Sequence, residues 1–217
     1  MLRNSSLLEW ILVIPALLLS FSIHELCHGL AAYALGDDTA KLSGRLSLNP
    51  LRHIDPIGVL MILTIGFGWA KPVPVNTRGF ADPKRGMALT ALAGPMSNVV
   101  LAFLSGFALV LTGLLVLHNG ELYVTSDTVW ATLLIKLFVY NCSIAMFNFL
   151  PIPPLDGSKI VGALLPARLY FEMMKYEMYG MIVLVVLLYT GLLTPVLHNG
   201  VNSLMRLVFS LASMMRF

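Results

Sequence analysis

The chain has few charged residues. Only 12% of its 217 residues are Asp, Glu, Lys or Arg, whereas 58% are hydrophobic. A soluble domain of this size needs more polar surface than that to cover its exterior. Several apolar runs approach or exceed the length of about 18 residues that crosses a bilayer. The scarcity of charge therefore excludes a soluble protein and indicates a multi-pass integral membrane protein that contacts the lipid bilayer.

Cysteine is also scarce. The chain contains Cys27 and Cys142 only, and each lies inside a predicted membrane helix. Two such residues provide neither a disulfide framework nor a C-x-x-C metal site. The net charge of +3 is small and is spread over loops, so nothing indicates binding to nucleic acid. Internal repeats and low-complexity segments are absent from the sequence as well.

The apolar runs predict an all-α polytopic membrane protein with about four to six transmembrane helices. Spans are predicted at residues 7–35, 87–117, 129–150 and 181–197. Residues 57–69 are too few to span comfortably and are expected to be re-entrant, and residues 201–217 are expected to lie on the surface or to insert shallowly.

We expect one membrane-embedded domain over residues 1–217. Its core is expected at about residues 7–165, with additional C-terminal helices at residues 177–217.

Two loop segments predict extended chain. Residues 41–48 (KLSGRLSL) alternate apolar with polar side chains, which is typical of a short strand. Residues 71–75 (KPVPV) cannot form a helix interior, because the prolines restrict this segment to an edge strand or to irregular extended chain. The two segments are expected to pair in a small membrane-associated β-sheet.

The segment FSIHELCHGLAAY at residues 21–33 carries ionisable residues inside an apolar helix. His24 and His28 lie one turn apart on the same helical face and can bind one metal ion. Glu25 lies about 100° round the helix, where it reaches a metal-bound water rather than the metal. This H-E-x-x-H pattern is typical of metal-dependent peptidases, with Zn²⁺ as the default ion. Because ionisable side chains at bilayer depth are rarely without a function, we expect one zinc ion per chain here.

A hydrolytic zinc site takes three protein ligands and leaves a fourth position open for water. The candidates for the third ligand are Asp156, His53 and Asp55 and, less plausibly, Asp37 and Asp38. Asp156 is preferred, since it lies in PIPPLDG (residues 151–157), where three prolines end a predicted membrane helix and Gly157 permits a tight turn. Helices broken at membrane depth line cavities. His53, which lies in a loop, is expected to be structural or to face the substrate.

Two asparagines lie within predicted membrane helices. Asn98 follows the Gly94-Pro95 pair, and Asn148 precedes the proline-rich turn. Either amide can donate a hydrogen bond to a developing oxyanion. The alternative is hydrogen bonding between helices, which is common for Asn in membranes. Both interpretations stay open for Asn98, and the structural one is favoured for Asn148.

The loop charges predict the orientation of the spans. The loop at residues 118–128 contains Glu121 and Asp127 and no Lys or Arg. Seven basic residues separate the first span from the second: Lys41, Arg45, Arg52, Lys71, Arg78, Lys84 and Arg85. By the positive-inside rule the basic segment is cytoplasmic. His24 and His28 then lie about 10–17 Å short of the cytoplasmic end of their helix, at 1.5 Å per residue.

Five motifs occur together in this chain: the H-E-x-x-H helix, GRLSLNPLRHIDPIG, GFGWAKPVPVN, ALAGPMSN and FNFLPIPPLDG. In this order, over roughly residues 15–165, they resemble the site-2 protease family of intramembrane zinc metallopeptidases. The resemblance implies that His24, His28 and Asp156 bind zinc and that Glu25 is the general base. It also implies a role for Asn98 near the site. The chain is most similar to the compact bacterial and archaeal members without a PDZ domain, which implies a prokaryotic cell membrane.

The expected function is hydrolysis of peptide bonds in transmembrane or membrane-associated protein substrates, with Glu25 activating a zinc-bound water. The substrate must unwind locally, and either extended segment could hold it by strand addition. The alternative is a non-hydrolytic zinc transporter or metal-sensing membrane protein. That alternative gives Glu25 no role, and the repeats expected of many transporters are absent.

Overall fold

The computed structural model describes residues 7–65, 70–118, 121–126 and 128–215. In these residues the chain forms nine α-helices and one antiparallel pair of strands. The elements in order are α1 (Leu7–Ala34), α2 (Thr39–Leu42), α3 (Pro56–Ile65), α4 (Pro83–Leu111), β1 (Leu115–His118), β2 (Glu121–Val124), α5 (Val129–Asn148), α6 (Asp156–Gly162), α7 (Ala167–Lys175), α8 (Glu177–Tyr189) and α9 (Thr194–Met214). The predicted all-α membrane fold is confirmed.

Within the described residues, three helices are long and apolar enough to cross a membrane. They are α1 from Ile11 onward, α4 and α5, and the number rises to four if α8 and α9 form one broken span. The predicted first and third spans match α1 and α5 closely. The second span, α4, ends at Leu111 rather than at residue 117, because residues 115–118 form β1.

The short segment at residues 57–69 is helical over Pro56–Ile65. With ten residues, α3 is not among the helices long enough to span. The remainder of the predicted segment, residues 66–69, lies outside the described residues. Asp127, one of the two acidic residues in the predicted external loop, also lies outside the described residues.

The predicted strand at residues 41–48 is wrong. Residues Thr39–Leu42 form the short helix α2, Gly44 has φ +64°, and residues 45–49 have no regular secondary structure. The two-stranded sheet instead joins β1 to β2, with Leu115 opposite Val124 and His118 opposite Glu121. Lys71, in the other predicted strand, donates its N–H to the carbonyl of His53 (2.8 Å), next to an isolated antiparallel bridge between Ile54 and Ala70.

The predicted span at residues 181–197 is not one continuous helix, because the chain breaks between α8 and α9 at residues 190–193, and α8 and α9 can cross a membrane only as a broken pair. Gly191 has φ +74° there, a left-handed conformation that favours glycine. The predicted surface segment at residues 201–217 falls within α9 as far as Met214. Its buried Val208 and Ala212 show that this helix packs into the protein.

Two compact units make up the chain. The first contains residues up to Ser20, residues 98–147 and residues from Leu187 onward. Its core contains Ala102, Leu109, Leu115, Phe138, Cys142 and Val208. The second contains Phe21–Ser97 and Asn148–Val186, and it holds the H-E-x-x-H motif together with Asp156.

Candidate metal centre

The α1 helix brings His24 and His28 together on one face. Their Nε2 atoms lie 2.9 Å apart and their rings are edge-on, as expected for residues one turn apart. His24 is 4% exposed, and Glu25 and His28 are each 9% exposed. The motif is therefore buried inside the second unit.

Asp156 reaches the same point from a distant part of the sequence. The chain leaves α5 at Asn148, passes through the prolines of residues 151–154, and starts α6 at Asp156. Its Oδ2 atom lies 3.2 Å from His24 Nε2 and 3.1 Å from His28 Nε2. Among the described residues, this trio forms the one group of three or more His, Cys, Asp or Glu side chains arranged to bind a metal.

Gly157 makes this return of the chain possible. A Cβ atom at residue 157 would lie 2.4 Å from the carbonyl oxygens of both Phe149 and Leu150. Any larger residue would push the start of α6 away from residues 149–150. Glycine after the aspartate thus allows the broken helix to deliver Asp156 to the histidines.

The α4 helix closes the other side of the histidine pair. The carbonyl of Thr90 lies 2.7 Å from His28 Nδ1. A carbonyl can only accept, so Nδ1 carries the hydrogen, and the neutral ring presents a lone pair at Nε2. A metal-binding histidine commonly donates its second ring N–H to a backbone carbonyl in this way.

The same helix approaches the imidazoles most closely at Gly94. A Cβ atom at residue 94 would lie 2.3 Å from His28 Nε2 and 2.7 Å from His24 Cε1. No side chain fits between α4 and the two rings at this position. The absence of a side chain at Gly94 therefore lets α4 pack directly against the histidine pair.

The donor atoms fit a zinc ion. Asp156 Oδ2 is buried and receives no hydrogen bond from the described residues, while the Nε2 lone pair of His28 points toward it. Acceptors facing one another without a donor need a cation between them. Tetrahedral zinc with nitrogen ligands at about 2.05 Å separates its ligand atoms by about 3.3 Å, close to the distances of 2.9–3.2 Å in this trio.

The pKa of the Asp156 carboxyl is held well below its usual range. Burial alone would raise this pKa, but His24 and His28, when protonated, donate to the carboxylate and outweigh that effect. The group is therefore present as a carboxylate, which is the form that binds a metal.

Glu25 points toward residues 71–76 rather than joining the trio. Its Oε2 atom accepts a hydrogen bond from the backbone N–H of Val73 (2.8 Å), within the KPVPV segment. A carboxylate has two oxygens, so the other oxygen can still accept a proton. Sequence reasoning missed Val73, since its contribution is a backbone N–H that no residue pattern reveals.

The rival ligand His53 is placed elsewhere. It is 3% exposed, and its Nε2 donates to the carbonyl of Ser47 (2.8 Å). Asp55 accepts from the N–H groups of Ile57 (2.8 Å) and Gly58 (3.3 Å) at the start of α3. Both residues hold their own loop together, and neither belongs to the metal-binding group.

The two candidate asparagines have different surroundings. Asn98 is fully buried in the first unit, where its Nδ2 donates to Asn141 Oδ1 (2.7 Å) and to the carbonyl of Ser20 (3.3 Å). This supports the hydrogen-bonding interpretation for Asn98. Asn148 is the half-buried last residue of α5. An oxyanion role for either residue stays a prediction.

Comparison with known proteins agrees with this centre. The model of peptidase family M50 matches residues 12–190. Three relatives each carry the name "Putative zinc metalloprotease", followed by YwhC, Rip2 or MJ0611. YwhC of Bacillus subtilis is 42% identical over 93% of this chain and 92% of its own length.

The other two relatives are more distant. Rip2 of Mycolicibacterium smegmatis is 29% identical over 88% of this chain and 70% of its own length. MJ0611 of Methanocaldococcus jannaschii is 31% identical over 73% of each chain. No solved structure matches. The extent of the family match shows that this chain belongs to peptidase family M50.

Proposed function

We propose that this membrane peptidase hydrolyses peptide bonds of transmembrane or membrane-associated proteins, with Zn²⁺ held by His24, His28 and Asp156. The observation that carries the proposal is the convergence of three buried ligand atoms within 3.2 Å of one another. The family and the names of the relatives support zinc-dependent proteolysis. When bound, zinc lowers the pKa of water and polarises a scissile carbonyl.

His28 and Glu25 have different roles in the proposed reaction. His28 is held in one tautomer by Thr90, so its Nε2 is ready to bind. Glu25 takes a proton from the attacking water and then gives it to the leaving amine. The burial of Glu25 and of the ligands excludes bulk water, which strengthens each electrostatic interaction in the site.

Residues 71–75 are suited to holding an unwound substrate. Val73 already contacts Glu25, and Lys71 and Pro72 are exposed. The prolines at positions 72 and 74 lack an N–H, so they can offer only carbonyl oxygens to a substrate strand. Residues 41–48, the other segment expected to hold a substrate by strand addition, do not form a strand.

We also place the site nearer the cytoplasmic side of a prokaryotic cell membrane. The apolar helices indicate a membrane protein, and the relatives come from bacteria and an archaeon. The basic loops on either side of α3 support the cytoplasmic orientation. A non-hydrolytic zinc transporter is not favoured, because the chain belongs to a peptidase family and places Glu25 beside the histidines.

Glu25→Gln tests the function. The variant should retain zinc but cleave a tagged single-span reporter protein, co-reconstituted in liposomes, about 10²–10⁴-fold more slowly, since Gln cannot accept the proton. Zinc is measured by elemental analysis and cleavage by gel shift of the tag. The control is Cys27→Ala, a partly buried position in the same motif, which should cleave normally. Cleavage by Glu25→Gln at the wild-type rate would contradict the role of Glu25.

A further inference from the structure

A buried carboxylate outside the metal centre, Asp37, lies just beyond the end of α1. It is 2% exposed. Its Oδ1 accepts hydrogen bonds from the N–H (2.9 Å) and the hydroxyl (2.5 Å) of Thr39, and its Oδ2 accepts from the N–H of Asn76 (2.6 Å). The short-range bonds fix the turn after α1. The bond to Asn76 joins that turn to the residue that directly follows the KPVPV segment.

Asp37 is firmly attached to the helix that carries the metal ligands. The Asp37 N–H donates to the carbonyl of Ala32 (2.9 Å), and Gly36 has φ +104°. This is the usual way in which a helix ends with a left-handed glycine. A Cβ atom at residue 36 would also lie 2.9 Å from the carbonyl of Gly79. The turn therefore packs closely against Gly79, in the loop that follows Asn76.

One helix and the turn after it thus hold residues 73–76 at two points. Glu25, in the middle of α1, accepts from the N–H of Val73 (2.8 Å), and Asp37 accepts from the N–H of Asn76 (2.6 Å). Between these two amides lie Pro74, which has no N–H, and Val75. Only these two residues separate the two amides, and Pro74 has a fixed φ, so a displacement of Asn76 is expected to move Val73.

The near end of the segment is held as well. The Arg45 Nη2 atom donates to the carbonyl of Lys71 (2.6 Å), and the Lys71 N–H donates to the carbonyl of His53 (2.8 Å). Arg45 is 8% exposed. Residues 71–76 have no regular secondary structure. Hydrogen bonds to buried side chains or to the backbone nevertheless hold them at both ends and at Val73.

We propose that Asp37 is a positioning residue for Glu25, because by holding the Asn76 amide it fixes the Val73 amide that orients the Glu25 carboxylate. The inference rests on the proposed function, in which Glu25 is the general base. The Val73 amide occupies one carboxylate oxygen and leaves the other for the attacking water. A base must be held within a fraction of an ångström of its working geometry, and such support comes from surrounding hydrogen bonds.

The charge state of Asp37 agrees with this role. The pKa of its carboxyl is lowered: burial alone would raise it, but the hydrogen bonds from Thr39 and Asn76 outweigh that effect. The group remains a carboxylate at neutral pH and accepts every bond described above.

Hydrogen–deuterium exchange tests the coupling directly. Because Pro72 and Pro74 have no amide hydrogen, a peptide covering residues 70–76 has few exchanging amides, and electron-transfer fragmentation of that peptide resolves the uptake of Val73 from that of Val75 and Asn76. In Asp37→Ala, exchange should accelerate at Val73 as well as at Asn76. A purely local role would accelerate Asn76 alone, and that outcome would overturn the proposal.

Kinetics provide the second readout. Asp37→Ala should lower kcat on the reporter protein by roughly 10- to 100-fold while KM and bound zinc stay unchanged. Asp37→Asn keeps one acceptor oxygen for the Asn76 amide and should recover part of the rate. The matched control is Asp82→Ala, which removes a loop carboxylate that accepts from the Lys84 and Arg85 amides (3.0 and 3.1 Å). This control should leave both kcat and the exchange of Val73 unchanged.

The outcomes separate the inference from the proposed function. If Glu25→Gln is inactive and Asp37→Ala is fully active, the inference fails and the function stands. If Glu25→Gln is active, the function fails whatever Asp37→Ala does. A fall in the zinc content of Asp37→Ala would also contradict a positioning role, because the metal rather than the base would then be affected.

Discussion

Asp156 supplies the one oxygen among three proposed zinc ligands, and no other described carboxylate approaches both histidines. Asp156→Ala should therefore lose the zinc, from about one ion per chain to nearly none, because two imidazoles alone hold it weakly. His53→Ala and Asp55→Ala should keep it, since both side chains serve their own loop. Elemental analysis of the purified variants decides the assignment. Loss of zinc in His53→Ala alone would make His53 the ligand.

Single residues could be predicted from the sequence when their side chain carries the chemistry. His24, Glu25 and His28 form a recognisable pattern, and Asp156 stands out after three prolines. Gly94 contributes the absence of a Cβ atom, and Thr90 and Val73 contribute backbone groups. The types of these three residues carry no chemical signal, so only the packing of the helices and loops shows what they do.

The packing of α4 against the histidine pair is a property of whole elements. Gly94→Ala would place a methyl group 2.3 Å from His28 Nε2 and 2.7 Å from His24 Cε1. Inserting a methyl group into such a contact typically costs about 1–3 kcal/mol, which the site can relieve by displacing the rings. We expect the affinity for zinc to fall at least about 10-fold, as judged by competition with a chelator.

The control for this variant lies on the same helix. A Cβ atom at Gly106 would lie 2.9 Å from Val208 and 3.0 Å from Phe138, in the apolar core of the first unit. Gly106→Ala should lower the thermal stability of the protein without releasing zinc. Equal zinc affinity in the two variants and the wild type would show that the rings tolerate the approach of α4 without Gly94.

The long apolar runs predicted α1, α4 and α5 well, whereas the short alternating pattern at residues 41–48 predicted a strand that does not form. The alternation in residues 41–48 predicts a strand, yet a strand forms only if a partner edge is available. Here the Lys71 carbonyl accepts a hydrogen bond from the Arg45 side chain, and the Lys71 N–H donates one to the backbone carbonyl of His53. With those groups occupied, residues 45–49 have no ladder to join, and Thr39–Leu42 closes a helical turn instead.

On the scale of the whole chain, composition predicted the class of protein but not the path of its last third. The mean hydropathy of residues 181–197 is typical of a membrane span. An average of this kind does not reveal where the backbone changes direction. Gly191 at φ +74° and the break at residues 190–193 divide this stretch between α8 and α9. A helix break of this kind depends on local backbone conformation, to which an average over side chains is insensitive.

The orientation of the chain in the membrane is argued from its loops. Before α4 the basic residues accumulate, and most of them are exposed. The hairpin of β1 and β2 has no Lys or Arg and carries Glu121. Because positively charged loops remain in the cytoplasm, the loop before α4 should be inside and the hairpin outside.

Cysteine labelling in intact cells tests this orientation. Ala81→Cys introduces a thiol in the exposed loop before α4, and Val124→Cys introduces one in β2, where Val124 is 40% exposed. A membrane-impermeant maleimide should label Val124→Cys in intact cells and Ala81→Cys only after permeabilisation. The unsubstituted chain gives the background from its two native cysteines, one of which is buried. The opposite labelling pattern would place residues 71–76, and with them the route of the substrate to Glu25, on the external side.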